Sequence, residues 1–458
     1  MIRTCLLIAV FSSFASGIPV QAQRPQPLAK PEELGLLIPR GRTAHEVLGK
    51  NVLVSMDQDT NGSEDDKEEP TVANVYLEVG DRYILMMPDG ALRSVAKRDT
   101  IETDRPFKEI DKDDLAKQLL RQFKGFKTRS TRHYLCIYNT TDEFCEHKTA
   151  ILETMYPSLV SYFKRQRLPV EKPSIPMVIV MFRTKAEFQR YRKMPETMLA
   201  YYNAVSNRVF LYQYSELVKD APAIAIKQST STIAHEGVHQ ILHNIGVQKR
   251  LSNWPIWLSE GMAEYFSPTT TSSRSKWAGV GKPNHLRMRD LFKHFNATRG
   301  LGNGDLVKQL VAADQLTATG YASAWALTHY LITKKKKELF SYLRDVSETP
   351  QLELPQDELV RFIEHFGSNF AGIEREMVRH IQSLPYRDPV ANQPYFLVTA
   401  KAGSRKLATV TSSLDHQSVR LKMVAKLNPN QRAKVQFFPV RTFPNRQLAQ
   451  QAMLLYTR

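Results

Sequence analysis

Thr232-Ile233-Ala234-His235-Glu236-Gly237-Val238-His239-Gln240-Ile241 is the stretch on which the reading of this chain turns. On an α-helix, positions i and i+4 share a face, so the imidazoles of His235 and His239 can reach one metal ion. Glu236 is displaced round the helix, where it can contact a water beside the ion rather than the ion itself. The helix has independent support. Ala234, Val238, Ile241 and Ile245 form an apolar stripe, Ser and Thr crowd its N-terminal side, and Gly246 can cap its end. Five letters with two wildcards are a weak signal alone, so the neighbouring sequence decides.

Downstream runs Trp254-Pro255-Ile256-Trp257-Leu258-Ser259-Glu260-Gly261-Met262-Ala263-Glu264-Tyr265-Phe266. Pro255 suits the first turn of a helix, and Glu260 and Glu264 then share a face. Two acids at that spacing repel each other mildly on an exposed helix. The repulsion disappears if one binds a cation and the other accepts a hydrogen bond from a ligating histidine. Spacing does not say which acid plays which part. Gly261 inside a helix costs about 1 kcal/mol relative to Ala, which predicts a close packing contact there.

With both motifs in view, the sequence resembles the gluzincin branch of zinc metallopeptidases. More narrowly, His235-Glu236-Gly237-Val238-His239-Gln240 with Trp257-Leu258-Ser259-Glu260-Gly261-Met262-Ala263-Glu264-Tyr265-Phe266 is similar to a group of exported bacterial proteins known mainly as a domain of unknown function. The resemblance spans roughly residues 130–345. It implies an α+β, zincin-like catalytic domain with zinc held by His235, His239 and Glu260 and water in the fourth position. Glu236 would be the general base of peptide hydrolysis. Glu264 would accept from His235 and orient it, or would itself be the third ligand. The oxyanion of such a reaction needs a donor besides the metal, and Tyr321, opening Tyr321-Ala322-Ser323-Ala324-Trp325, is the candidate, with a packed helix-start tyrosine as the rival reading. His329 reads as a satisfied structural histidine. His243 lacks the glycine turn of the metzincin pattern and reads as lying at the surface or behind the ligands. A tyrosine-rich hairpin, Leu199–Val205 and Val209–Tyr214, precedes the metal helix. In peptidases of this type such an edge strand binds extended substrate, though a core hairpin would look the same.

Outward from the motifs, the chain has 458 residues, 63 Lys+Arg against 46 Asp+Glu, and 42% hydrophobic residues. That balance excludes a wholly disordered, collagen-like or multi-pass membrane chain and suggests two or three domains. Residues 1–22 read as a signal peptide: a basic start, an apolar run and Val20-Gln21-Ala22 before a cut near Gln23. Export, to the periplasm or beyond, and no membrane span in the mature chain are the expectations. Cys136 and Cys145 would remain, able to pair in an oxidising compartment and otherwise two small buried thiols. Residues 23–128 read as a β-rich module with strands near 51–54, 72–79, 83–87 and 91–95 and a linker helix over 112–123. Its acidic stretch, Asp57 to Glu69, is a solvated loop without EF-hand spacing. Residues 129–385 form the metallopeptidase-like domain. They open with a strand over 133–138, a helix over 151–163 disturbed at Pro157, and a strand over 176–182. Thr184-Lys185-Ala186-Glu187 is a capping box for a further helix. Residues 386–458 read as a basic β-rich region, with strands over 395–399, 419–424 and 434–438. Its 12 Lys+Arg and two acids place +10 of the chain's +17 there. An anionic cell-envelope polymer would suit such a surface, and no nucleic-acid motif is present. The competing reading of the whole is a non-proteolytic binding protein that keeps the fold, with or without its metal. The intact Glu236 argues against it.

Overall fold

The computed structural model describes residues 7–9, 36, 38, 44–47, 49–55, 69–196, 198–214, 222–270, 276–297, 301–353, 357–388, 394–411 and 416–457. Most of residues 1–22, expected to be a signal peptide, and most of the acidic stretch therefore lie outside the described residues. After a short strand β1 (Leu7–Ala9), the N-terminal unit comprises β2 (Ala44–His45), β3 (Asn51–Val54), β4 (Thr71–Val79), β5 (Arg82–Met86), β6 (Leu92–Ala96) and β7 (Thr100–Thr103). They form an antiparallel sheet in the order β6-β5-β4-β3-β7, with β2 also on β4. Alternate residues of β4 are buried, as the period-2 pattern of Val75, Leu77 and Val79 requires. The helix expected next is α1 (Lys112–Gln122), capped by Asp111.

The central sheet contains β8 (Lys127–Ser130), β9 (Tyr134–Tyr138), β10 (Met177–Thr184), β11 (Ala200–Asn203) and β12 (Arg208–Tyr214), in the order β1-β11-β12-β10-β9-β8. β9, β10 and β12 are parallel, and β8, β11 and β1 run antiparallel to their neighbours. β9 and residues 177–182 of β10 are buried along their whole length, which explains their continuous apolar sequences. Two helices join these strands: α2 (Asp142–Arg165), between β9 and β10, and α3 (Lys185–Tyr191), which has the expected capping box. Contrary to the reading from Ile151, α2 begins nine residues earlier and runs through Pro157. Thr141 caps it by accepting from the Phe144 N–H, and Asp142 and Glu143 complement its N-terminal dipole.

Among the described residues, the helices that follow β12 begin with α4 (Pro222–Asn244), α5 (Ile256–Phe266), α6 (His285–Ala297), α7 (Asp305–Val311), α8 (Ala318–Lys334) and α9 (Lys336–Glu348). α10 (Glu358–Phe366) and α11 (Phe370–Gln382) complete the helical half. Strands β9 to β12, α2 and these helices share one continuous apolar core, which Leu77, Val79, Ile84 and Leu92 of the N-terminal sheet also enter.

The last unit has β13 (Tyr395–Ala402), β14 (Arg405–Thr411), α12 (His416–Ala425), α13 (Pro429–Arg432), β15 (Val435–Phe437), β16 (Arg441–Phe443) and α14 (Arg446–Thr457). Its sheet is antiparallel around β13. The expected strand over 419–424 is instead part of α12, so this region is mixed rather than β-rich. Val419 and Met423, like Arg420 and Val424, are four apart, a spacing that fits a helix face as well as a strand.

Candidate metal centre

α4 carries both histidines inward because two glycines let its surroundings close. A Cβ on Gly237 would come within 2.2 Å of Leu152 on α2, so glycine here lets the two helices touch. Gly246, just past the helix, has φ +78° and ends it as expected. α5 starts directly after Pro255, whose carbonyl accepts from Leu258 and Ser259. Its residues from Trp257 onward are all buried. The close contact predicted at Gly261 is present: a Cβ there would lie 2.1 Å from Thr328 Oγ1 and 2.7 Å from the Ala324 carbonyl of α8. α5 is thus seated on α8 with Glu260 and Glu264 turned toward α4.

The structure brings His235, His239 and Glu260 together. His235 Nε2 lies 3.1 Å from Glu260 Oε2 and 3.1 Å from His239 Nε2, and His239 Nε2 lies 3.8 Å from Glu260 Oε2. The three residues are 1%, 0% and 3% exposed. Donors bonded at about 2.0–2.1 Å in a tetrahedron stand about 3.3–3.4 Å apart, so these separations suit a small metal ion. Among the described residues this is the one group of His, Cys, Asp and Glu side chains that could hold a metal.

Glu264 stands behind the cluster, with Oε1 3.1 Å from His235 Nδ1. The same oxygen accepts from Arg287 Nη2 at 2.6 Å, and Oε2 accepts from Asn284 Nδ2 at 2.8 Å. Burial alone would raise the Glu264 carboxyl, but the Arg287 guanidinium and the His235 ring outweigh it and hold it well below the ordinary carboxylate range. Burial also opposes charge on His235. Hydrogen bonds to Glu260 and Glu264 prevail and raise that imidazole to about 10, so this point of the protein attracts positive charge. His239 shifts the opposite way, lowered chiefly by burial.

Glu236 is fully buried and accepts from the Tyr202 backbone N–H of β11 at 2.8 Å. Its carboxylate is therefore fixed against the outermost strand of the central sheet apart from β1. Tyr321 closes another side. Its ring centre is 6.5 Å from that of His235, and the Arg287 guanidinium stacks over it at 5.3 Å. Burial first, then the carboxylates of Glu260, Glu236 and Glu264, raise its hydroxyl well above 10, which keeps it a proton donor.

Two other histidines lie elsewhere. His329 Nδ1 is 2.9 Å from His380 Nε2, and burial depresses its ring to about 4, in line with a structural histidine. His243, expected at the surface or behind the ligands, is 8% exposed and so not at the surface. It stacks on Tyr202 and bonds the Gln248 carbonyl, because the hairpin folds directly over α4. Arg287 and Asn284 had no signal in the sequence. Arg287 on α6 and Asn284 just before it arrive after a loop that turns back through a Thr269–Trp277 bridge and a Trp277 Nε1 bond to the Phe266 carbonyl. The two cysteines are free thiols, both near Thr149 Oγ1, at 3.1 Å for Cys136 and 3.9 Å for Cys145.

No curated protein matches the chain. Residues 229–353 match the model of a family described as "Protein of unknown function (DUF1570)". That match takes in the two histidines of α4, all of α5, the Arg287 helix and Tyr321, and leaves the N-terminal sheet and the last unit outside it: over its metal-centre helices, this chain is similar to a family of unknown function.

Proposed function

We propose that the protein is an exported zinc metallopeptidase with a gluzincin-like catalytic domain. The observation that carries the reading is the convergence of three buried donor atoms in a pocket of unbalanced charge. Glu236, Glu260 and Glu264 bring three formal negative charges against the one guanidinium of Arg287, which also lies 3.9 Å from Asp290, so a net negative charge is left for a cation to offset. Isolated buried charges are costly, so a site of this kind favours a cation. Two imidazoles and one carboxylate suit zinc, whereas calcium and magnesium take mainly oxygen.

His235, His239 and Glu260 would hold the ion, and Glu264, anchored by Arg287 and Asn284, would fix the His235 ring with its Nε2 lone pair inward. Zinc in such a site supplies Lewis acidity, making water easier to deprotonate and a carbonyl easier to attack. Glu236 takes the proton of the attacking water and returns it to the leaving amine. Tyr321 donates its hydroxyl hydrogen to the carbonyl oxygen as charge builds there.

Substrate access is supported by β1. Ile8 pairs with Tyr202, the residue whose N–H holds Glu236, and β1 also touches α4. Cutting the leader near Gln23 would remove this strand and open the β11 edge, next to Glu236, to an extended peptide. A second reading is favoured by the near-complete burial of the ligands, which is the mark of a closed, structural metal site. Under it the protein binds without hydrolysing. A screen of quenched fluorescent peptides with the leaderless chain separates the two. The peptidase reading expects hydrolysis that Glu236→Gln abolishes while metal stays bound; metal without hydrolysis by any peptide supports the closed site.

A further inference from the structure

The last unit has a surface that the metal centre does not use. Residues 394–458 contain eleven Lys+Arg and one acid, Asp415. On that cationic background four leucines stand in solvent: Leu421 of α12 is 65% exposed, and Leu448, Leu454 and Leu455 of α14 are 43%, 55% and 73% exposed. Between Arg446 and Arg458, α14 carries no charged residue. Ala449 and Ala452 are buried, and α14 lies against β13, β14 and β16, so small side chains let it sit close to the sheet. At 3.6 residues per turn, Leu448 and Leu455 lie together on one side of that buried stripe and Leu454 lies on the outer side, opposite it. Basic groups border the helix. Lys406 of β14 reaches 6.0 Å from the Tyr456 ring, and the exposed Arg441 belongs to β16, on which α14 packs.

We infer that α14 and its basic rim dock the protein onto the surface of an anionic lipid bilayer. The charge pattern selects an anionic partner, since the unit's Lys and Arg side chains are almost unopposed by acids. The leucines select a lipid surface over a soluble polyanion. A polymer of phosphates or carboxylates gains nothing from exposed leucines, whereas a bilayer takes them into its headgroup boundary while lysine and arginine meet the lipid phosphates. The chain's helices are not long and apolar enough to cross a membrane among the described residues, so the contact is peripheral. The inference does not depend on peptidase activity.

The test is cosedimentation of the purified chain with phosphatidylglycerol–phosphatidylcholine vesicles and with pure phosphatidylcholine vesicles. Binding is expected to the anionic vesicles alone and to weaken with salt. The pair Leu454→Gln and Leu455→Gln should weaken it about tenfold or more, as should Lys406→Gln with Arg441→Gln. All four side chains project into solvent, and an unchanged near-ultraviolet circular dichroism spectrum verifies that the variants fold. Three results would each overturn the inference. The first is no binding to anionic vesicles. The second is binding that the leucine pair leaves unchanged, which would reassign the surface to a polyanion. The third is a lipid-free dimer, seen by light scattering, that the leucine pair dissolves.

Discussion

Glu264 is held from three sides, by His235, Arg287 and Asn284, and its worth lies in what it does to the ring beside it. Glu264→Gln keeps the shape but loses the charge that fixes the His235 tautomer. It should weaken metal affinity about 10- to 100-fold, measured by competition with a chromophoric chelator, without unfolding the chain. Equal affinity would remove Glu264 from the account of the centre. Lys148 offers a test of a different kind. It is 1% exposed, and its ammonium donates to Thr230 Oγ1 at 2.8 Å. Burial lowers it from the ordinary 10.5 to about 7. Below pH 7 the folded chain carries a buried charge, a penalty of roughly 5 kcal/mol on that shift. Between pH 7 and about 10 the unfolded chain keeps a proton that the folded chain has released, so stability should rise with pH over that window. In Lys148→Met, urea titrations should show this rise reduced and the chain more stable at pH 7. An unchanged slope would contradict the assignment.

Among the elements, α4 and α5 were legible in the sequence because each carries a motif whose residues meet within one helix. The histidine pair of the candidate metal site could be read from i, i+4 spacing and the close contact at Gly261 from a glycine in an otherwise apolar helix, whereas the choice of Glu260 over Glu264 rested on the family resemblance. Arg287 and Asn284 could not be read, since they join Glu264 only after the chain has turned back through some twenty residues. Local pattern carries no record of such a contact. α2 was read too short because its first two turns, Asp142 to Thr149, lack an apolar stripe, although Thr141-Asp142-Glu143 is a cap with an acidic first turn. The contact between α5 and α8 gives a prediction at this scale. Gly261→Ala would gain about 1 kcal/mol of helix propensity but drive a methyl into Thr328 and the Ala324 carbonyl. Overpacking typically costs about 1–3 kcal/mol, so a net loss in thermal stability is expected, with weaker metal binding as α5 shifts and carries Glu260 away. A stable variant with full metal affinity would mean that the contact does not position the ligand.

Across the molecule, the N-terminal sheet is not a loosely attached module. Arg250, 6% exposed, donates Nε to the Ala204 carbonyl, Nη2 to the Val205 carbonyl and Nη1 to the Gly90 carbonyl. Tyr76 of β4 reaches across to the Arg250 carbonyl, and Arg208 pairs with Asp89 at 3.1 Å. The guanidinium therefore ties the β5–β6 turn to the hairpin that holds Glu236. Arg250→Met leaves these buried carbonyls without that donor and should cost about 2–4 kcal/mol, with earlier proteolytic release of the N-terminal unit. This joint was not legible in the sequence, because an isolated arginine in a loop looks solvated until tertiary structure surrounds it with carbonyl groups. The basic last unit was legible in its charge and misread in its secondary structure.

In the proposed site His235, His239 and Glu260 hold one zinc ion with Glu264 behind them. The most direct test of this arrangement is the metal content of the purified chain by elemental mass spectrometry, beside His235→Ala, Glu260→Ala and Glu264→Ala. About one zinc per chain is expected, lost in the first two variants and only weakened in the third. A wild-type protein that holds no zinc even after reloading would contradict it.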